Sequence, residues 1–156
     1  DIFLCMMTIF LISIDPSLGK VDKSSLSQQT LMELLVENTK DKEKVCIYAV
    51  FPVNVALWYG TRTNHQGEFT NIDWGFYRIG GSIQLEWLPE TVKSAYFYNN
   101  EFEGTVSLTN LPAAMTRLSV ADNYLSGTID VTSLPMGMES LFLNDNLFEG
   151  ETGAKV

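Results

Sequence analysis

The sequence predicts an α/β repeat: a solenoid of short parallel strands with an irregular convex side and a helical N-terminal cap. Three observations predict it. Hydrophobic residues recur every 23 positions from Phe69 onward, an Asn and a Gly return at fixed places in each period, and a Leu-Pro pair punctuates the back of each complete unit. Units repeating at such a spacing bury their apolar faces against their neighbours, so the repeat itself implies stacked coils around a shared core.

Four registers run without an insertion. Phe69, Val92, Met115 and Met138 begin them; three residues on stand Ile72, Ala95, Leu118 and Leu141, and two beyond those Trp74, Phe97, Val120 and Leu143. This alternation is that of a short strand whose apolar members face one side. Next come Tyr77, Asn100, Asn123 and Asn146, then Ile79, Phe102, Leu125 and Phe148, then Gly81, Gly104, Gly127 and Gly150. The side-chain amide of Asn can bond backbone groups that a turning chain leaves unpaired, so Asn100, Asn123 and Asn146 are expected to stack as a turn ladder. Gly at the following corner permits a conformation or a close approach that a β-carbon would obstruct. Leu88-Pro89, Leu111-Pro112 and Leu134-Pro135 fit a side of the coil that needs no continuous hydrogen-bond ladder.

The pattern "MESLFLNDNLFEG" preceded by "GTIDVTSLP" resembles the leucine-rich repeat, and its wording is similar to that of leucine-rich repeat proteins of flagellate protists. The resemblance covers residues 67–151. It implies a solenoid that binds another protein or peptide on the concave face of its sheet. Upstream, "LWYGTRTNHQGEFTNIDW" resembles the N-terminal cap of plant-type leucine-rich repeat domains, in which a helix leads to a Trp-x-Gly segment and the first strand. Trp58 and Gly60 fit that order, while the cysteines such caps carry are missing and Thr63 stands where one would sit.

Three regions follow. Residues 1–19 hold an uncharged apolar run, 2–14, about the length of a signal-peptide core, with Ser17 and Gly19 as small residues after it. It reads as a signal or a truncated membrane anchor, or else as a buried apolar element. Residues 20–66 form the cap region. Ser25 and Gln28 stand at capping-box spacing, and Leu31, Leu34 and Leu35 recur at helical intervals, which predicts a helix over 25–39. A mixed-charge turn follows at 40–44, then a strand or buried extended segment over 45–51 that Pro52 stops. Residues 67–156 are the solenoid, about four repeats. Its first coil carries Tyr77 where Asn is expected, as terminal repeats often do. No capping unit follows Gly150, so the chain is expected either to be truncated there or to self-associate through that uncapped coil.

Composition narrows the function. With 46% hydrophobic and 19% charged residues the chain is not a disordered one. The net charge of −9 lies wholly within residues 67–151, which hold twelve acidic residues against Arg78, Lys93 and Arg117. Such a surface repels phosphate, which excludes nucleic acid as a partner and limits membrane contact to the N-terminal segment. Two cysteines, Cys5 and Cys46, exclude a disulfide framework, and Cys46 is expected to be a buried thiol. His65 is the only histidine, with no serine or cysteine beside it to make a catalytic pair. Asn144-Asp145-Asn146 lacks the twelve-residue calcium loop, and Gly80-Gly81 lacks the Lys-Ser/Thr of a phosphate loop. We therefore expect no enzyme activity, no cofactor and no metal.

What remains is the open face of the sheet. Neighbouring coils should align its outward residues into columns about 4.8 Å apart. These are Asn71, Ser94, Arg117 and Ser140; Asp73, Tyr96, Ser119 and Phe142; Gly75, Tyr98, Ala121 and Asn144; and Phe76, Asn99, Asp122 and Asp145. Core positions vary conservatively while these vary widely in chemistry, as a recognition surface does. Asp73, Phe76, Tyr96, Tyr98, Arg117, Ser119, Asp122, Phe142 and Asn144 are the candidate contact residues, the aromatics as anchors and the charges as orienting groups. The alternative is that the aromatics merely pack on one another. The expected function is non-enzymatic protein or peptide binding, secreted or at the cell surface, or cytoplasmic if the N-terminal run is a buried element. The rivals are the first coils of a larger surface receptor and a surface-coat protein that assembles end to end.

Overall fold

The computed structural model describes residues 22–46 and 54–149. The expectations for residues 1–19, for most of the segment 45–51 and for Gly150 onward lie outside them. Val45 and Cys46, which are described, are buried and leave a short 3-10 turn at Lys42–Lys44.

The repeat folds as a parallel-strand solenoid. Strands β1 (Thr61–Thr63), β2 (Phe69–Asp73), β4 (Ser94–Tyr96), β6 (Arg117–Ser119) and β8 (Ser140–Phe142) form one sheet in the order β1-β2-β4-β6-β8. β1 is antiparallel to β2 and the remaining pairs are parallel, in a register that matches residues 23 positions apart: Ile72 with Ala95, Ala95 with Leu118, Leu118 with Leu141.

A second sheet was not foreseen. β3 (Gly80–Gly81), β5 (Glu101–Gly104), β7 (Tyr124–Gly127) and β9 (Leu147–Phe148) pair in parallel on the far side of each corner. Part of what was expected to be an irregular side is thus ordered by inter-coil backbone bonds. Among the described residues the rest holds irregular backbone, turns and one 3-10 turn, Leu85–Trp87.

The Asn ladder explains why the corner recurs. The Oδ1 of Asn100 accepts from the backbone N–H of Ile79, that of Asn123 from Phe102, and that of Asn146 from Leu125, each at 3.0 Å and each in the preceding coil. On the other side, Asn123 Nδ2 donates to the carbonyls of Phe97, Val120 and Ala121 at 2.9 to 3.0 Å. One buried side chain thereby satisfies the Phe102 amide and shares its two N–H protons among three carbonyls, two of which also accept from the Asn100 and Asn146 amides of the neighbouring coils. The residue before each Asn takes a left-handed conformation: Asn99 and Asp122 at φ 54° and Asp145 at φ 55°. Each coil then closes with a tight turn in which the Pro carbonyl accepts from the N–H three residues on, Val92 for Pro89, Met115 for Pro112 and Met138 for Pro135.

The core runs along the solenoid axis. Trp58, Trp74, Phe97 and Phe102 meet successively at ring-centroid distances of 6.3, 5.5 and 6.2 Å, and all are buried. Trp74 keeps its polar end satisfied by donating Nε1–H to the Tyr59 carbonyl at 2.8 Å. In the coil of β8 and β9, Leu141, Leu143 and Phe148 are only half-buried among the described residues.

The helix is shorter than expected. α1 covers Gln28–Leu35, with Ser27 rather than Ser25 as its N-cap, accepting from the Thr30 N–H. Ser25 belongs instead to a 3-10 turn, Lys23–Ser25, capped by Asp22. The helix stops because the chain beyond it exchanges helical bonds for bonds to the first coil. Asn38 O accepts from Ser82 N, and Lys40 N donates to Gly80 O at 2.7 Å. Gly81, at φ 80°, is what allows this approach, since a β-carbon there would lie 2.5 Å from Asn38 O.

Candidate functional site

The parallel register aligns two of the four expected columns. Asn71, Ser94, Arg117 and Ser140 stand side by side across β2, β4, β6 and β8, as do Asp73, Tyr96, Ser119 and Phe142. Arg62 of β1 joins the first of these, opposite Asn71.

Exposure separates the members. Phe76 is 67% exposed and Phe142 53%, while Tyr96 and Tyr98 are half-buried and Asp73, Arg117, Asp122 and Asn144 are exposed. Ser119 is a correction: it is only 4% exposed and has almost no surface to offer a ligand. The reason is steric. A two-atom side chain stands between Tyr96 and Phe142 in adjacent strands about 4.8 Å away on either side, so the taller neighbours enclose it.

Two of the aromatics form a pair. Phe76 and Tyr98 meet edge to face with ring centroids 5.2 Å apart at 85°. The Tyr98 ring reaches Phe76 because Gly75 lies beneath it, where a β-carbon would come within 2.5 Å of the ring. Asp73 is held by the turn, its Oδ1 accepting from the Gly75 N–H at 3.2 Å. The pair is thus a semi-rigid platform with a carboxylate at its base.

The charges are partitioned by edge. At the edge where the strands begin, the Arg117 guanidinium is engaged by Glu139 at 2.7 Å, a partner that column counting missed because it lies one residue before the strand. Where the strands end, Asp73, Asp122 and Asp145 enter no ion pair among the described residues. Asn144 Nδ2 donates to Asp145 Oδ2 at 2.6 Å, which fixes that carboxylate without neutralising it.

Elsewhere the chemistry is sparse. His65 is exposed in the turn between β1 and β2, where Asn64 Oδ1 accepts from the N–H groups of Gln66 and Glu68. Among the described residues no three His, Cys, Asp or Glu side chains cluster to hold a metal ion, and no helix is long and apolar enough to cross a membrane. The face therefore presents aromatic surface, hydrogen-bonding groups and carboxylates that have no ion-pair partner among the described residues.

No family model matches the chain, and no curated protein matches it in sequence. Among solved structures it is similar to the crystal structure of the BIR3–SERK2 complex from Arabidopsis thaliana, with 16% identity over 77% of this chain and 82% of that one and a TM-score of 0.47.

Proposed function

We propose that this chain is a leucine-rich repeat module that binds a protein or peptide on the open face of its five-stranded sheet, without catalysing a reaction on it. The observation that carries this reading is the exposure of Phe142 in the aligned column that also holds Tyr96, together with that of Phe76 at the adjoining corner, where it meets Tyr98. Large apolar side chains that gain little from burial within the chain are typical anchors for a partner, and flanking polar groups orient it. The buried Asn ladder and aromatic core make the sheet rigid, so binding would require little ordering of the face. The apolar run at 2–14 supports placing this module outside the cell or at its surface, the setting we propose for it.

The test is a pull-down with the full chain as bait, beside the same bait carrying Tyr96→Ala and Phe142→Ala. A partner captured by the first and lost by the second, with both baits melting alike, supports the reading. Equal capture by both baits sinks it.

A further inference from the structure

Phe76 occupies a conformation that suits it badly. The equivalent corner of the later coils is filled by Asn99, Asp122 and Asp145, all left-handed, and Phe76 shares that geometry at φ 63°. Asn and Asp tolerate it because a short polar side chain can bond the local backbone, whereas a bulky ring cannot. Nor does burial compensate, since the ring is 67% exposed and its ring contact is the T-shaped one with Tyr98. An aromatic kept in a strained, exposed position points to a role in contact with something outside the chain.

The surrounding charge says what that something is. Asp122 and Asp145 continue the corner that Phe76 begins, and Asp73 sits at the foot of the Phe76–Tyr98 pair. None is in an ion pair among the described residues. The basic residues Arg62, Lys93 and Arg117 lie at the opposite edge, where the strands begin, and Arg78 follows the corner on the way to β3. An aromatic face beside carboxylates is a site for a cation or an apolar side chain, followed by further cations.

On the binding reading above, we infer that the partner is a basic polypeptide segment, laid along the edge where the strands end. Successive coils are about 4.8 Å apart, which places Asp122 about 10 Å and Asp145 about 14 Å along the axis from Phe76. An extended chain advances about 3.4 Å per residue, so a ligand residue on the Phe76–Tyr98 rings would be followed by basic residues three and four positions away, on opposite sides of the strand, where the long flexible stems of Lys or Arg let both heads reach the carboxylates. Acidic and neutral segments lack these pairings.

The experiment titrates the full chain with three labelled peptides of equal length by fluorescence anisotropy. One carries Phe with Lys three and four positions on, the second replaces both Lys by Glu, and the third keeps the composition of the first with the Lys moved together to the far end. The first peptide should bind at least about tenfold more tightly than the second and lose affinity as salt rises. Asp122→Asn with Asp145→Asn should erase that preference. Phe76→Asn should weaken the first peptide about tenfold while leaving the melting temperature unchanged or higher, since Asn suits the corner.

Equal binding of the Lys and Glu peptides, or a preference that survives the Asp122→Asn, Asp145→Asn chain, overturns the basic partner, as does no binding of any peptide. Tight binding by the third peptide overturns the spacing. Should the pull-down still capture a partner that depends on Tyr96 and Phe142, the open-face reading stands and only its charge preference has failed.

Discussion

The ring of Tyr98 lies directly over Gly75, one coil away, at a distance that leaves no room for a methyl group: a β-carbon at residue 75 would approach Tyr98 Cζ to 2.5 Å. Gly75 does not have a positive φ, so Ala is acceptable to its backbone and the whole effect of Gly75→Ala falls on the ring. Tyr98 would tilt outward and lose its edge-to-face contact with Phe76, which should lower stability by about 0.5–1.5 kcal/mol. The same change should reduce binding as strongly as Phe76→Ala does, because it dismantles the same platform. Near-ultraviolet circular dichroism, read beside a urea melt, distinguishes the outcomes. An unchanged aromatic signal would mean that Tyr98 is not seated on Gly75.

Asn123 and Tyr96 should respond oppositely to truncation. Asn123 is 6% exposed and is the acceptor for the Phe102 amide as well as a donor to three carbonyls, so Asn123→Ala strands that buried N–H, removes the shared donors and should destabilise by about 1–3 kcal/mol. Asn123→Asp should cost more, because it sets a carboxylate against three carbonyl oxygens where an amide donated to them. Tyr96→Ala removes a half-buried side chain from the open face and should alter the melt far less while weakening binding. Chemical denaturation of the three variants tests the ranking. Tyr96→Ala proving as costly as Asn123→Ala would place Tyr96 in the folding core.

The parts of this molecule that could be read from sequence are those that repeat. A polar residue returning within an apolar period, as Asn100, Asn123 and Asn146 do, announces a buried structural role, and the same period sets the register of β2, β4, β6 and β8. Gly75 beside Tyr98 in one column was also visible as a small residue next to a large one. The second sheet was not, because its strands are only two to four residues long and end on or beside the corner glycines, as Gly80-Gly81 does, a sequence that reads as a turn. The burial of Ser119 depends on the heights of neighbours 23 positions away on both sides, which residue type alone does not convey. The strain at Phe76 is a departure from the Asn and Asp of its own column, legible only once φ was known.

Gln28 shows the same limit at the junction between helix and solenoid. It reads as a helix N-terminal residue, yet its Oε1 accepts from the Phe69 N–H at 2.7 Å, a contact across 41 positions of chain. The amide of β2's first residue is therefore satisfied by a side chain of α1. Gln28→Ala should leave it without a protein partner at a cost of about 1 kcal/mol. Gln28→Glu keeps the acceptor and should recover most of the loss. Amide exchange at Phe69 is the readout, expected to accelerate in the Ala variant and to remain slow in the Glu variant.

Gly81 and Gly104 occupy equivalent corners with nearly the same conformation, φ 80° and 82°, and so isolate the effect of what lies beyond them. A β-carbon at Gly104 meets nothing nearer than 3.8 Å, so Gly104→Ala should cost only the left-handed backbone penalty, about 1 kcal/mol. At Gly81 the added carbon would lie 2.5 Å from Asn38 O and 2.9 Å from Lys40 N. These are backbone atoms, which cannot swing aside as the end of a flexible side chain does. Gly81→Ala must therefore push the segment after α1 away from the first coil and break the Ser82–Asn38 and Lys40–Gly80 bonds, at a cost of about 1–3 kcal/mol beyond the conformational penalty. Hydrogen exchange at Lys40 and Ser82 should become fast in the Gly81→Ala chain and remain protected in the Gly104→Ala chain. Equal protection in the two would mean that the segment after α1 does not depend on its bonds to Gly80 and Ser82 to stay docked.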